Sequence, residues 1–225
     1  MMRFVLSIAF TLSLAACASG DRAGSRGERS GGFQNGAGGE MVYGQAQRLA
    51  RDGNRQEALR AYRCAAQYGP GFEVAWHQAG VTAFAIAHDP LTPEDQRAGY
   101  LETGFEALAM AARTGWGASQ AELAIQHHSA GHAEEAAYWA AVYQSNPRES
   151  AIGLERLPTD TFTAIRARSD YPAALERAAD FFPRVLVRGQ PGAGCDVFMR
   201  PVREEREFDL GLRPTAGGGR EERPR

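Results

Sequence analysis

The apolar and polar positions of this chain divide it into a short apolar run near the start, a long helical middle and two polar stretches. Phe4 to Leu14 contains no charge. It is shorter than the about 20 apolar residues a membrane-crossing helix requires, and no later segment approaches that length. Gln45 to Asn54 reads as a helix that stops at Gly53, a residue suited to the left-handed turn that ends helices. Gln56 to Gly69 reads as a second helix. Its small and apolar residues at 58, 59, 61, 62, 65 and 66 form one stripe at helical spacing. Two short helices joined by a glycine turn predict a helical hairpin.

The hairpin pattern then recurs. Val74 to His88 has Trp76, Ala79, Gly80, Ala83, Phe84 and Ala87 on one face, and the helical stretch Phe105 to Gly115 follows. Ahead of that stretch, Thr92-Pro93-Glu94-Asp95 predicts a capping hydroxyl, proline at the first helical position and acid in the first turn. A third unit is expected to open with a capping box, Ser119 to Glu122, turn at Gly131 and run from Glu134 to Gln144. Beyond Pro147, residues 151–157, 160–168 and 172–182 read as shorter helices that cover the open end. Val185 to Arg188 and Asp196 to Met199 read as extended, a small hairpin around a glycine-rich loop. The expected fold class is all-α: a short α-solenoid of helical hairpins with additional C-terminal helices and flexible tails. A non-repetitive helical bundle is the alternative.

The second helices of the three units can be laid over one another. Glu57-Ala58 through Ala65-Ala66-Gln67-Tyr68-Gly69 matches Glu106-Ala107-Leu108 through Ala111-Ala112-Arg113-Thr114-Gly115, and less closely Glu135-Ala136-Ala137-Tyr138-Trp139. These residues resemble the Sel-one-like repeat family, relatives of the tetratricopeptide repeats, over Gly44 to Pro147. Two departures stand out: a longer connection between His88 and Gly99, and an ending at Tyr143 to Pro147 closer to the tetratricopeptide form. The resemblance implies stacked hairpins with a concave face that binds proteins or peptides. Tyr62, Trp76 and Trp139 are the candidate packing or groove residues, and core or groove positions suit Trp76, Trp116 and Trp139 better than a ligand cage.

Arg3, the apolar run and the small residues after it form the pattern of a secretory signal peptide. Leu14-Ala15-Ala16-Cys17 then resembles the lipobox of bacterial lipoproteins. That resemblance implies cleavage before Cys17, acylation of Cys17 and retention on a membrane, since two or more acyl chains anchor stably where one does not. Ordinary cleavage at Ala18, releasing a soluble protein, is the alternative. Ala18 in place of Asp after the cysteine resembles the outer-membrane default, facing the periplasm. The expected organisation is therefore 1–16 signal peptide, 17–40 lipidated flexible linker, 41–147 helical repeats, 148–202 C-terminal helical cap and 203–225 disordered tail. The glycine- and serine-rich linker lacks the apolar residues needed to offset ordering entropy.

Charge changes this picture little. The formal net charge is −2, so no general field favours nucleic acid, and no nucleic-acid partner is expected. All 25 basic residues are arginine. They are scattered, which fits a coding bias better than a dedicated anion site.

The three cysteines are Cys17, Cys64 and Cys195. Aligning the units with the repeat family puts Cys64 where the family has a solvent-facing lysine. An exposed thiol in an oxidising compartment is a liability, so the alignment implies a Cys64–Cys195 disulfide; the alternative is two separate thiols with Cys64 turned inward. His127, His128 and His132 invite a metal reading, with 128 and 132 on one helical face. Gly131 interrupts that face, and polar residues at a helix end are the simpler account. No nucleophile elbow, phosphate-binding glycine loop or paired-carboxylate motif is present. No catalytic site, cofactor or metal is therefore expected. The leading functional expectation is a membrane-anchored envelope scaffold that binds a protein or peptide. The alternatives are a metal-dependent or cell-wall-active hydrolase using the three histidines, and a structural lipoprotein contacting peptidoglycan through its tail.

Overall fold

The computed structural model describes residues 30–152, 156–186, 189, 191–192 and 194–199. Residues 1–16, Cys17 and residues 203–225 lie outside that set, and with them the signal peptide, the acylation site and the tail. The described residues are helical, with no strand among them. The helices are α1 (Ser30–Arg51), α2 (Arg55–Ala66), α3 (Glu73–Ala87), α4 (Glu94–Ala112), α5 (Gly117–Ser129), α6 (Ala133–Gln144), α7 (Pro147–Ile152), α8 (Thr159–Arg166) and α9 (Tyr171–Ala179), followed by a 3-10 turn, η1 (Cys195–Phe198).

Each of α1 to α6 packs on the helix before and after it, so α1–α2, α3–α4 and α5–α6 form three consecutive hairpins. Helices α8 and α9 close over α6, while η1 returns to α1 and α2. The stripe expected on α2 is buried: Ala58, Leu59, Ala61, Tyr62, Ala65 and Ala66 all face inward. Two of the hairpin turns share one geometry. After α1, Gly53 N–H bonds to Ala50 C=O and Asn54 N–H to Leu49 C=O; after α5, Gly131 bonds to His128 and His132 to His127. Both glycines have φ near +80°, at +80° and +77°. This is the Schellman arrangement, which satisfies carbonyls that a helix end would otherwise leave unpaired.

Small residues set the helix spacing. A Cβ placed on Gly80 of α3 would come within 2.6 Å of Leu108 Cγ and 3.0 Å of the Gly104 carbonyl on α4, and one on Gly104 would come within 2.7 Å of Phe84. Both glycines are buried. Leu108 fills the space they leave and is fully buried.

Several expectations need correction. The stretch expected to be linker as far as residue 40 is helical from Ser30, as part of α1. Gly38 and Gly39 lie directly against the rings of Tyr68 and Phe72, and this docking outweighs the low helix propensity of glycine. Cys64 is buried, not solvent-facing. Helix α5 begins at Gly117 with Trp116 at its cap, so Ser119 lies inside the first turn and does not cap it. Thr92 likewise sends its hydroxyl back to the Ile86 carbonyl at 2.6 Å, and Pro93 takes the cap position of α4. Among the described residues no extended hairpin forms at the end: residues 195–198 are the 3-10 turn, 181–186 have no regular structure, and 187–188 lie outside the described residues.

The glycine contact between α3 and α4 predicts the response to a larger side chain. Gly104→Val should destabilise the protein by about 2 kcal/mol or more, because overpacking at Phe84 exceeds the gain in helix propensity. Thermal unfolding followed by circular dichroism should give a lower midpoint; an unchanged midpoint would show that the helices can separate there freely.

Candidate binding groove

After α9 the chain turns back across the ends of the earlier hairpins. Phe181 packs edge-on to Trp139 of α6, with ring centroids 6.4 Å apart. Arg184 N–H donates to the carbonyl of Arg113, at the C-terminal end of α4, at 2.7 Å. Gly189 N–H donates to the carbonyl of Gln67, at the end of α2, at 3.1 Å. Gly192 N–H reaches Gln67 Oε1 at 2.8 Å. Cys195 then forms a disulfide with Cys64 of α2 across 131 residues of sequence, and the Tyr68 hydroxyl lies 3.0 Å from Met199 Sδ. Helix ends leave carbonyls without intrahelical partners, and here the returning backbone supplies donors to two of them.

Between this return segment and the helices lies a groove. One part, about 310 Å³, is walled by Trp76, Met110, Arg113, Arg184 and Leu186. An adjoining part, about 500 Å³, shares Trp76, Met110 and Arg113 and adds Arg63, Thr103 and Glu106. Beyond Arg113 and Arg184 the surface continues to a smaller hollow at Tyr138, Trp139 and Phe182. Of the three aromatic candidates, Trp76 and Trp139 therefore line this face. Tyr62 does not: it is a core residue, 4% exposed, packed against Tyr43 at 5.6 Å. Trp116 is half-buried, and its indole N–H is buried with no hydrogen-bond partner among the described residues. Met110 and the arginines carry no sequence motif, so nothing in the pattern singled them out.

The histidine group assembles differently from its sequence spacing. His127 and His132, rather than 128 and 132, come together, with their Nδ1 atoms 3.3 Å apart. The Schellman turn at Gly131 causes this, because it folds the residue after the glycine back onto the third-last residue of the helix. His127 also stacks on Phe105 at 4.4 Å. Burial pushes its imidazole down to about 4, opposed by the nearby Glu135 carboxylate and reinforced by His132. Among the described residues no group of three or more His, Cys, Asp or Glu is placed to hold a metal ion.

A second polar group lies between the hairpins. Ser119 is fully buried and shares a 3.0 Å hydrogen bond with His77 Nδ1. Burial, reinforced by the Arg156 cation, pushes His77 down to about 4. Asn146 donates to the carbonyl of Gly115 at 3.0 Å and to Gln120 Oε1 at 2.8 Å, and Gln120 donates to the Ala112 carbonyl at 3.1 Å. Glu149, nearly buried against Gly117 at the start of α5, pairs with Arg156 at 2.8 Å. A carboxylate is favourable at a helix N-terminus. The Ser119–His77 pair has the atoms of a nucleophile and its base. Ser119, however, has no exposed surface from which to reach a substrate. These groups join the second hairpin to the third.

Comparison with known protein families, with curated proteins and with solved structures finds no match. Among the described residues, no helix is long and apolar enough to cross a membrane.

Two outcomes follow from this geometry. In the chain-entropy account, a disulfide closing so long a loop contributes about 5 kcal/mol. Replacing both Cys64 and Cys195 by Ser should therefore lower the melting temperature and raise deuterium exchange at 181–199, leaving α5 and α6 protected; unchanged exchange there would mean that the backbone bonds alone hold the segment. The second outcome concerns acid. His77 and His127 take up protons in the folded state only near pH 4, whereas an unfolded histidine does so near 6.5. Their contribution is complete above about pH 6.5 and is lost as pH falls towards 4. His77→Gln, which can keep a bond to Ser119, should flatten part of the fall in melting temperature over that range. An equally steep fall in the variant would assign the acid sensitivity elsewhere.

Proposed function

We propose that the chain is a membrane-anchored envelope lipoprotein whose helical hairpins act as repeats in a scaffold for a protein or peptide. The observation that favours binding is the groove beside Trp76 and Met110, already bordered on one side by a return segment of the same chain. A surface that accepts one irregular stretch of backbone through helix-end carbonyls is suited to hold a second polypeptide beside it. The leader supports the anchor, through Leu14-Ala15-Ala16-Cys17. In this reading Cys17 sets where the domain works and the hairpins set what it holds. The hydrolase alternative has less support, because His127 and His132 lack a third ligand among the described residues.

Both halves are open to test in the native envelope. Cys17→Ser should move the protein from the membrane fraction to the soluble fraction. A photo-crosslinking residue at Met110 should give a discrete adduct with one envelope protein, whereas the same group at Leu91, on the connection between α3 and α4, should not. Retention of the Cys17→Ser protein on the membrane would overturn the anchor. Equal labelling from both positions would overturn the scaffold.

A further inference from the structure

We infer that the groove recognises an acidic peptide, one in which carboxylates flank a bulky apolar side chain. This rests on the peptide-binding reading and gives it a chemistry. The apolar floor is Trp76 and Met110, the latter still 37% exposed at the base of the groove. Three arginines line it: Arg63 on α2, Arg113 at the end of α4, and Arg184 on the return segment. Some exposed arginines of the fold have carboxylate partners, Arg55 with Asp89, Arg168 with Asp170 and Arg177 with Glu134, while Arg48, Arg51, Arg148 and Arg166 have no ion pair among the described residues. Arg63, Arg113 and Arg184 form no ion pair among the described residues, although Glu106 lines the same groove. The chain as a whole has a net charge of −2, yet this face gathers three cations against two carboxylates, Glu106 in the groove and Asp180 at the adjoining hollow. Complementary charge of this kind sets which partner is accepted and how quickly it arrives.

The three arginines come from separate parts of the chain. Arg184 stands beside Arg113 because its own backbone N–H bonds to the Arg113 carbonyl. The arrangement therefore needs the return segment, and a lone hairpin would present only part of it. Guanidinium groups bind carboxylates through paired donors. An apolar side chain between two acids would lie on the indole and thioether while its neighbours reached the arginines.

The test uses the mature full-length chain in detergent micelles and three labelled probe peptides with identical apolar residues, carrying Asp and Glu, their Asn and Gln counterparts, or Lys. Fluorescence anisotropy should show the acidic probe binding at least tenfold more tightly than the neutral one, and weakening as salt rises. Arg113→Gln should remove about tenfold of that affinity, leaving melting temperature unchanged, because Arg184 bonds only to the backbone of residue 113. Arg184→Gln should act in the same direction. Equal binding of the acidic and neutral probes, lost in Trp76→Ala, would overturn the charge rule while leaving peptide binding in place. No binding of any probe would overturn this inference; a crosslink at Met110 in the envelope would still leave the scaffold standing. Binding of phosphatidylglycerol vesicles that is lost in Arg113→Gln, without binding of the acidic probe, would assign the cations to lipid and also overturn it.

Discussion

Close helix packing is the constraint on which the rest of this molecule depends. Alanine is the commonest residue of both core clusters, and the α3–α4 contact closes around Gly80 and Gly104 with Leu108 and Phe84 filling the remaining space. Alanine loses no rotamer freedom on burial, and the backbones can approach closely. The limitation is that each alanine removes little apolar surface from water, since a buried methylene is worth only about 0.8 kcal/mol. Hairpins of this composition hold together through shape more than through large side chains, which explains why the structure uses other ties as well.

Those ties are of two kinds. Buried polar groups join the second hairpin to the third: His77 to Ser119, and Asn146 to Gln120 and the Gly115 carbonyl. Bonds of this sort contribute modestly when made, but leaving such buried groups unpaired is expensive, so they hold the hairpins in one register. The second tie is the return segment. It runs from Phe181, packed against Trp139 of α6, to Cys195, bonded to Cys64 of α2, gives donors to the exposed ends of α4 and α2, and is fastened by the disulfide. A stack in which each hairpin touches only its neighbours thereby gains a connection between its first and last members.

The same segment makes the groove. Without it, the carbonyls of Gln67 and Arg113 would end in solvent, and Trp76 and Met110 would lie on an open surface. With it, a floor and a wall meet, and Arg184 joins cations from two other helices. Stability and the proposed recognition thus draw on one feature, in which backbone atoms hold the segment while Arg184 and Leu186 line the groove.

Local rules were legible from the residues alone. Helical periodicity located the buried stripe of α2 and glycine chemistry located the turns at 53 and 131, whereas the extended hairpin read at 185–199 became a 3-10 turn at 195–198. The stripe and the glycine turns depend on neighbours within one or two turns of helix, where sequence spacing is spatial spacing. Tertiary structure decided what spacing cannot encode. Glycines at 38 and 39 became part of α1 because Tyr68 and Phe72 cover them, and Tyr62 entered the core instead of the groove. His132 met His127 through a backbone turn. Arg63, Arg113 and Arg184 came to line one groove only when a segment more than sixty residues beyond α4 folded back across it. Contacts between distant positions depend on how the helices stack, and no periodicity within a helix records that.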